Sequence, residues 1–138
     1  MTSLKASKLI VAIVIANFML ECYSQDLGKI PEIEQYKLHC IEWSQITESS
    51  AKKLRDEEEP ANPTQSMKCY VQCFFQKLRF MNEKSELQKD KIVGFLSKAM
   101  EEAKAKSLYE KCLARRTNPC DTAYDMFICY RKNKAKLF

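Results

Sequence analysis

The sequence is poor in glycine, proline, histidine and tryptophan. It contains two glycines, four prolines, one histidine and one tryptophan in 138 residues. No alternating apolar–polar pattern persists along the chain, so extended β-structure is not predicted. The single histidine leaves little acid–base chemistry, and neither a phosphate-binding loop nor a nucleophile elbow occurs. These absences argue against common enzyme classes and predict a non-enzymatic, all-α protein without a cofactor.

The first residues have the pattern of a secretory leader. Lys5 and Lys8 give a positive start, and an apolar run follows over 9–20. That run is too short to cross about 30 Å of hydrocarbon as a helix. We expect cleavage near Ser24, which makes 1–24 a signal peptide and 25–138 the folded domain. The prediction is a secreted, extracellular protein with no membrane span in its mature form.

The cysteines carry the strongest structural signal in the sequence. The chain has seven cysteines, and the predicted cleavage removes Cys22. An even number in a short secreted chain predicts three disulfides. The alternative, a zinc site built from Cys69, Cys73 and His39, is disfavoured on the same grounds. The six remaining cysteines are Cys40, Cys69, Cys73, Cys112, Cys120 and Cys129.

Charge does not indicate a nucleic-acid partner. The whole chain carries +5, and removing 1–24 with Lys5, Lys8 and Glu21 leaves +4. Lysine and glutamate are mixed along the chain, whereas a nucleic-acid footprint needs clustered basic residues. We therefore expect a solvated surface.

Apolar periodicity predicts six helices. Pro60 and Pro63 place a loop before the central helix, and 82–88 forms a turn after it. Asn118 and Pro119 begin the last helix as N-cap and first helical residue. Gly94 lies inside the fourth helix, either tolerated there or leaving room for a ligand or backbone. The predicted helices cover 31–46, 47–55, 67–81, 90–103, a fifth through 105–113, and 119–132.

The central helix over 67–81 organises the rest of the chain. At about 100° per residue, its large apolar side chains share one stripe. Cys69 and Cys73 lie nearly opposite, with Phe80 beside them. A helix that needs cover on two faces belongs in the middle of a domain. The stripe consists of Met67, Tyr70, Val71, Phe74, Phe75, Leu78 and Met81.

Helix geometry restricts the disulfide pairing. Six cysteines allow fifteen connectivities. Cys69 and Cys73 lean alongside each other on one helix face and cannot form a joint bridge. Cys120 and Cys129 lie about 180° apart around their helix. Ten connectivities remain. In each of them the two cysteines of the central helix bond to two different partner cysteines, and so do the two cysteines of the last helix.

The cysteine spacing resembles that of the insect odorant-binding and pheromone-binding protein family. The resemblance spans the whole predicted mature chain and includes the strings at 68–70, 118–124 and 129–130. It implies the bridges Cys40–Cys73, Cys69–Cys120 and Cys112–Cys129. It also implies six helices around a hydrophobic cavity, with the cross-links holding the shell when no ligand is present.

Candidate ligand-binding residues come from three sources. Positions relative to the cysteines imply, through the resemblance, that Ile33, Val71, Phe75, Tyr109, Met126 and Tyr130 line the cavity. Helical periodicity adds Leu78, Leu96 and Phe127. Phe138 is a candidate lid residue, because in some family members the C-terminus covers the pocket.

Six residues are candidates for polar contacts to a ligand. The hydroxyls of Tyr70, Tyr109, Tyr124 and Tyr130 are candidates for its polar end. Lys77 and Lys106, near the expected mouth, suit a carboxylate.

The predicted function is a secreted carrier of odorants, pheromones or fatty acids in chemosensation. Its predicted partners are a small hydrophobic ligand and a membrane chemoreceptor, and it is a monomer or weak homodimer. One alternative is a non-olfactory lipid or hormone carrier. Another is a helical signalling or inhibitor protein that acts through its surface. His39 is the only histidine, which predicts weak pH dependence between neutral and mildly acidic conditions.

Overall fold

The computed structural model describes residues 30–135 and 137–138. The predicted leader, its cleavage site and Cys22 lie outside the described residues. In the described part of the chain the secondary structure is helical, apart from one isolated bridge between Met81 and Leu87. The helices are α1 (Ile30–Ser44), α2 (Glu48–Asp56), α3 (Gln65–Lys77), α4 (Lys89–Leu96), α5 (Glu102–Cys112) and α6 (Pro119–Lys132).

The chain divides into two compact units, Met1–Gln35 and Tyr36–Phe138, and the boundary falls within α1. Of the first unit, the structure describes only the opening of α1, where Ile33 is half-buried. The contacts described below lie within the second unit.

Side-chain caps define where three helices begin. Thr47 accepts a hydrogen bond from the Ser50 backbone N–H (3.1 Å), which starts α2. Thr64 accepts one from the backbone N–H of Met67 (3.2 Å) at the start of α3. Asn118 caps α6, with Pro119 following it, as predicted. Each cap satisfies a backbone donor that the helix itself leaves unpaired.

The central helix ends earlier than predicted. It stops at Lys77 instead of continuing to Met81. Arg79 takes a left-handed conformation (φ 63°), and its N–H donates to the Gln76 carbonyl (3.0 Å). The Phe80 N–H donates to the Phe75 carbonyl (2.7 Å), and the two rings pack edge to face. These bonds form a Schellman motif, which removes Phe80 from the helix face that carries the cysteines.

The fourth helix also ends earlier than predicted. It stops at Leu96, and α5 begins only at Glu102, so a helix over 90–103 is wrong. The Ser97 hydroxyl donates to the Val93 carbonyl (2.7 Å), and the chain turns over the next residues. This break lets α5 fold back and pack against α4.

The pair α3 and α6 forms the centre of the second unit, since these two helices make the most extensive contact. Large side chains from both helices are buried there together with residues of α4 and α5. The fully buried ones from α3 and α6 include Tyr70, Val71, Phe74, Phe75, Met126, Phe127 and Tyr130.

Three disulfides join the helices. Cys40–Cys73 links α1 to α3, Cys69–Cys120 links α3 to α6, and Cys112–Cys129 links α5 to α6. The pairing is the one implied by the resemblance, and α3 is bonded to two partners as helix geometry requires. The predicted all-α, six-helix, disulfide-linked architecture is confirmed.

Candidate ligand-binding site

A stack of three phenylalanines connects the C-terminus to the core. Phe138 lies parallel to Phe74, with ring centroids 4.3 Å apart. It also stacks against Phe127 at 5.0 Å. Offset stacking of this kind adds about 0.5–1.5 kcal/mol beyond the burial of apolar area. The last residue of the chain is therefore part of the apolar interior.

The end of α6 explains how the tail reaches that position. Lys134 has a left-handed φ of 60°, and its N–H donates to the Arg131 carbonyl (2.9 Å). The Ala135 N–H donates to the Tyr130 carbonyl (2.9 Å), which completes a second Schellman motif. This motif reverses the chain, and Ala135 and Leu137 become buried.

A cavity of about 300 Å³, here called the tail cavity, lies beside the stack. Its apolar wall comes from Phe127, Ala135, Leu137 and Phe138, and cations line the rest. Apolar walls with a few polar groups are typical of small-molecule sites, and this volume is at the lower end of their range. The cavity is lined by Arg55, Phe127, Arg131, Lys134, Ala135, Leu137 and Phe138.

Arg131 fixes one side of this cavity. Its guanidinium donates to the backbone carbonyls of Leu54 and Arg55, at the end of α2. It also lies over the ring of Phe127, 5.3 Å from the centroid. The C-terminus of α2 has unpaired carbonyls and a partial negative charge, so a cation is stabilising there. Arg131 is thus held rigidly beside the apolar wall.

Tyr130 is a buried polar group without a hydrogen-bond partner among the described residues. Its side chain has no exposed surface. Burial raises the pKa of its phenol, and the neighbouring Tyr109 adds to that rise. The Tyr124 hydroxyl is also buried and unpaired in the described part of the chain. A buried hydroxyl without a partner costs free energy that a ligand acceptor or a water would recover.

The structure brings most of the predicted ligand-binding residues into one cluster. Leu78 and Phe138 are half-buried and pack against this core. Phe127 and Phe138 line the tail cavity. Ile33 belongs to the first unit and is not placed relative to the others. The buried members are Val71, Phe75, Leu96, Tyr109, Met126, Phe127 and Tyr130. Contact of any of them with a ligand stays a prediction.

The sequence-based prediction of ligand-binding residues did not include several residues at or near the tail cavity. Phe74 lies on the predicted apolar stripe of the central helix. Membership of that stripe is the sequence signal that could have identified Phe74 as a neighbour of the site. No sequence pattern pointed to Arg55 or Arg131, because their role depends on α2 and α6 meeting. Lys77 and Lys106 line different cavities, and Lys106 forms an ion pair with Glu102 (2.7 Å).

The structure does not favour a metal site. Cys69 and Cys73 both belong to disulfides, which removes the thiolates that zinc would need. Among the residues described, no group of three or more histidine, cysteine or acidic side chains is placed to hold a metal ion. None of the described helices has the length and apolar character that crossing a membrane requires.

The described residues define an all-α domain of six helices, joined by three disulfides around an aromatic interior. The model of the PBP/GOBP family matches residues 19–133. The chain belongs to this family of insect odorant-binding proteins, whose members are non-enzymatic carriers.

Individual relatives agree with that assignment. The chain is 63% identical over 139 residues to Odorant-binding protein 10 of Aedes aegypti, covering 99% of each chain. It is 32% identical over 111 residues to General odorant-binding protein 56a of Drosophila melanogaster, covering 80% of this chain and 75% of that protein.

A solved structure is also similar. It is that of the fatty acid binding protein OBP56a from the oral disk of the blowfly Phormia regina. The TM-score is 0.64 at 30% identity, and the match covers 80% of this chain and 95% of the other.

Proposed function

We propose that this protein is a secreted carrier that takes up a small hydrophobic molecule in extracellular fluid and serves chemosensation. The observation that carries the proposal is the tail cavity, whose apolar wall adjoins the stack of Phe74, Phe127 and Phe138. An apolar ligand gains about 25 cal/mol for each Å² removed from water. Cross-links between helices keep such a shell folded whether or not a ligand is present.

The proposed ligand class follows from the apolar and the cationic side chains that line the tail cavity. Phe127, Leu137 and Phe138 suit an alkyl or aromatic body. Arg55, Arg131 and Lys134 offer three cationic groups. We infer that an apolar chain ending in a carboxylate, as in a fatty acid, fits best. The likeness to a structure titled as a fatty acid binding protein supports this inference.

The Tyr130 hydroxyl is the proposed anchor for neutral polar ends, such as an alcohol or aldehyde. It is fully buried in the apolar cluster next to the residues that line the tail cavity, does not itself line that cavity, and has no partner in the described part of the chain. An acceptor brought by a ligand would pair with it at no cost to an existing hydrogen bond.

The test is displacement of an environment-sensitive apolar dye by a panel of ligands with matched chain length. A fatty acid, the corresponding alcohol, the methyl ester and the alkane differ only in the terminal group. We expect saturable dye binding and displacement by the acid at micromolar concentration, which corresponds to about −8 kcal/mol. Absence of a saturable dye site would contradict the carrier function and favour a protein that acts through its surface.

Tyr130→Phe separates the anchor from the general cavity. We expect the variant to bind the alcohol about three- to tenfold more weakly and the alkane unchanged. Tyr124→Phe is the matched control, because its hydroxyl is also buried and unpaired among the described residues, and Tyr124 lines a cavity that shares no residue with the tail cavity. Equal losses in both variants would reject Tyr130 as the anchor.

A further inference from the structure

A second cavity is lined by residues of α1 and α3, including Cys73, whose disulfide joins these helices. It has a volume of about 700 Å³ and shares no lining residue with the tail cavity. We call it the α1–α3 groove. It is lined by His39, Trp43, Cys73, Gln76, Lys77, Arg79, Met81, Asn82, Glu83, Gln88 and Lys91.

The groove carries unbalanced positive charge. Lys77, Arg79 and Lys91 line it, against the single acid Glu83. Within 36–135 and 137–138, no carboxylate lies within 4.0 Å of these three cations. Other basic side chains of the same unit are paired, such as Lys89 with Glu110 and Arg116 with Asp125. An anion entering the groove would therefore not have to break an ion pair.

The backbone at Arg79 adds an independent indication. This residue occupies the left-handed position that ends α3, with φ 63°, where glycine is favoured because it has no Cβ. An arginine there is strained relative to glycine, and Arg79 lines the groove. Strain of this kind occurs at ligand-binding positions more often than elsewhere.

The groove also has an apolar part, formed by Trp43, Cys73 and Met81, among polar side chains such as Gln76, Asn82 and Gln88. Met81 is buried beneath the groove, beside Cys73 and its disulfide to Cys40. Trp43 lies at the edge and leaves 53% of its surface exposed. A half-exposed indole beside unpaired cations offers both a stacking surface and charge. A ligand pocket of this volume is within the range that holds a small molecule.

We propose that the α1–α3 groove binds a small organic carboxylate with an apolar body, as a second site separate from the tail cavity. The carboxylate pairs with Arg79 and the two lysines, since a guanidinium binds carboxylates through two parallel hydrogen bonds. The apolar body lies on Trp43 and Met81. A neutral molecule of the same length lacks the charge and binds weakly. The inference extends the proposed carrier function but does not depend on occupancy of the tail cavity.

The protein contains its own probe for this site. Trp43 is the single tryptophan of the sequence, so tryptophan emission reports on the groove. The full chain, with its disulfides oxidised, is titrated with dodecanoate and separately with dodecanol, both below their aggregation limits. We expect a saturable blue shift with dodecanoate and none with dodecanol. Raising the salt concentration should weaken the dodecanoate response, because exposed charges are screened.

Four variants, one of them a control, locate the response. Arg79→Gln and Lys91→Gln should each weaken dodecanoate binding about two- to fivefold, as expected for exposed ion pairs. Lys104→Gln is the matched control, since Lys104 is exposed on α5 and lines none of the cavities described. Arg79→Gly should weaken binding as well but raise the melting temperature, because glycine relieves the left-handed strain. Equal effects of Lys104→Gln and Arg79→Gln would overturn the proposal.

A parallel dye displacement distinguishes the two sites. If dodecanoate displaces the apolar dye while Trp43 emission is unchanged, the groove proposal is wrong and the carrier function stands. If Trp43 responds with the expected charge dependence and no saturable dye site exists, the groove proposal stands and the tail-cavity carrier fails. No change in either signal contradicts both.

Discussion

Phe138, the last residue of the chain, lies parallel to Phe74 of the central helix, with 4.3 Å between ring centroids and 17° between planes. These residues are 64 positions apart in the sequence. Their contact makes Phe138 part of the wall of the proposed ligand site.

Removing this wall should weaken ligand binding. For Phe138→Ala we expect apolar ligands to bind about three- to tenfold more weakly, because part of their buried surface is lost. The unfolding free energy should fall by about 1–3 kcal/mol, less than for a fully buried phenylalanine. Dye displacement and urea denaturation measure the two effects. Leu38→Ala is the control, since Leu38 is exposed and outside the cavity. Tighter binding in Phe138→Ala would mean that the ring competes with the ligand.

The bridge between the two central helices should be the main covalent support of the fold. Replacing both Cys69 and Cys120 with alanine removes a link that closes a separation of 51 residues. We expect a loss of about 2–5 kcal/mol in unfolding free energy. Chemical denaturation of the variant, beside the oxidised wild type, measures it. An unchanged denaturation midpoint would show that packing of α3 on α6 is sufficient.

Gly94 offers a stabilising substitution. It lies inside α4, is exposed, and an added Cβ would meet no atom within 4 Å. No neighbouring backbone approaches this glycine, and Gly94 lines a small cavity, so the choice between a tolerated glycine and one that leaves room for a ligand stays a prediction. Gly94→Ala should raise the unfolding free energy by about 0.5–1 kcal/mol, since alanine is the better helix former. Thermal unfolding is the measurement, and a lowered melting temperature would contradict the open space around this position.

Alkaline pH should destabilise the protein through its buried tyrosines. Burial raises the pKa of Tyr109, Tyr124 and Tyr130 in the folded state. The unfolded chain releases its phenolic protons near pH 10. The contribution of these neutral phenols to the free energy of unfolding is therefore complete below about pH 10. It is lost as the pH rises above that value.

The variant Tyr130→Phe tests the largest contribution. Its melting temperature should fall less steeply between about pH 9 and 11 than that of the wild type. At neutral pH it should be as stable as the wild type or more so, because the unpaired hydroxyl is gone. An identical pH profile for the two proteins would contradict a buried, neutral Tyr130.

The sequence predicts those features of the fold that depend on interactions between residues close together in the chain. Asn118 and Pro119 predict the start of α6, and Thr47 predicts the start of α2, because a cap bonds to a backbone group two or three residues away. The number of cysteines indicates three bridges, and helix geometry restricts their pairing. The apolar stripe of the central helix identifies the side that faces the core.

Tertiary contacts decided the rest. α3 ends at Lys77 because an arginine adopts a conformation that sequence rules reserve for glycine, and the packing of Phe75 on Phe80 stabilises it. The placement of Arg131 on the last carbonyls of α2 depends on two helices meeting in space, and the bonded residues are 76 and 77 positions apart in the sequence. The sequence by itself determined which residues are apolar and cross-linked, whereas only the tertiary structure decided which of them enclose a cavity. The cavities depend on contacts between residues that are distant in the sequence, and local propensity carries no information about those contacts.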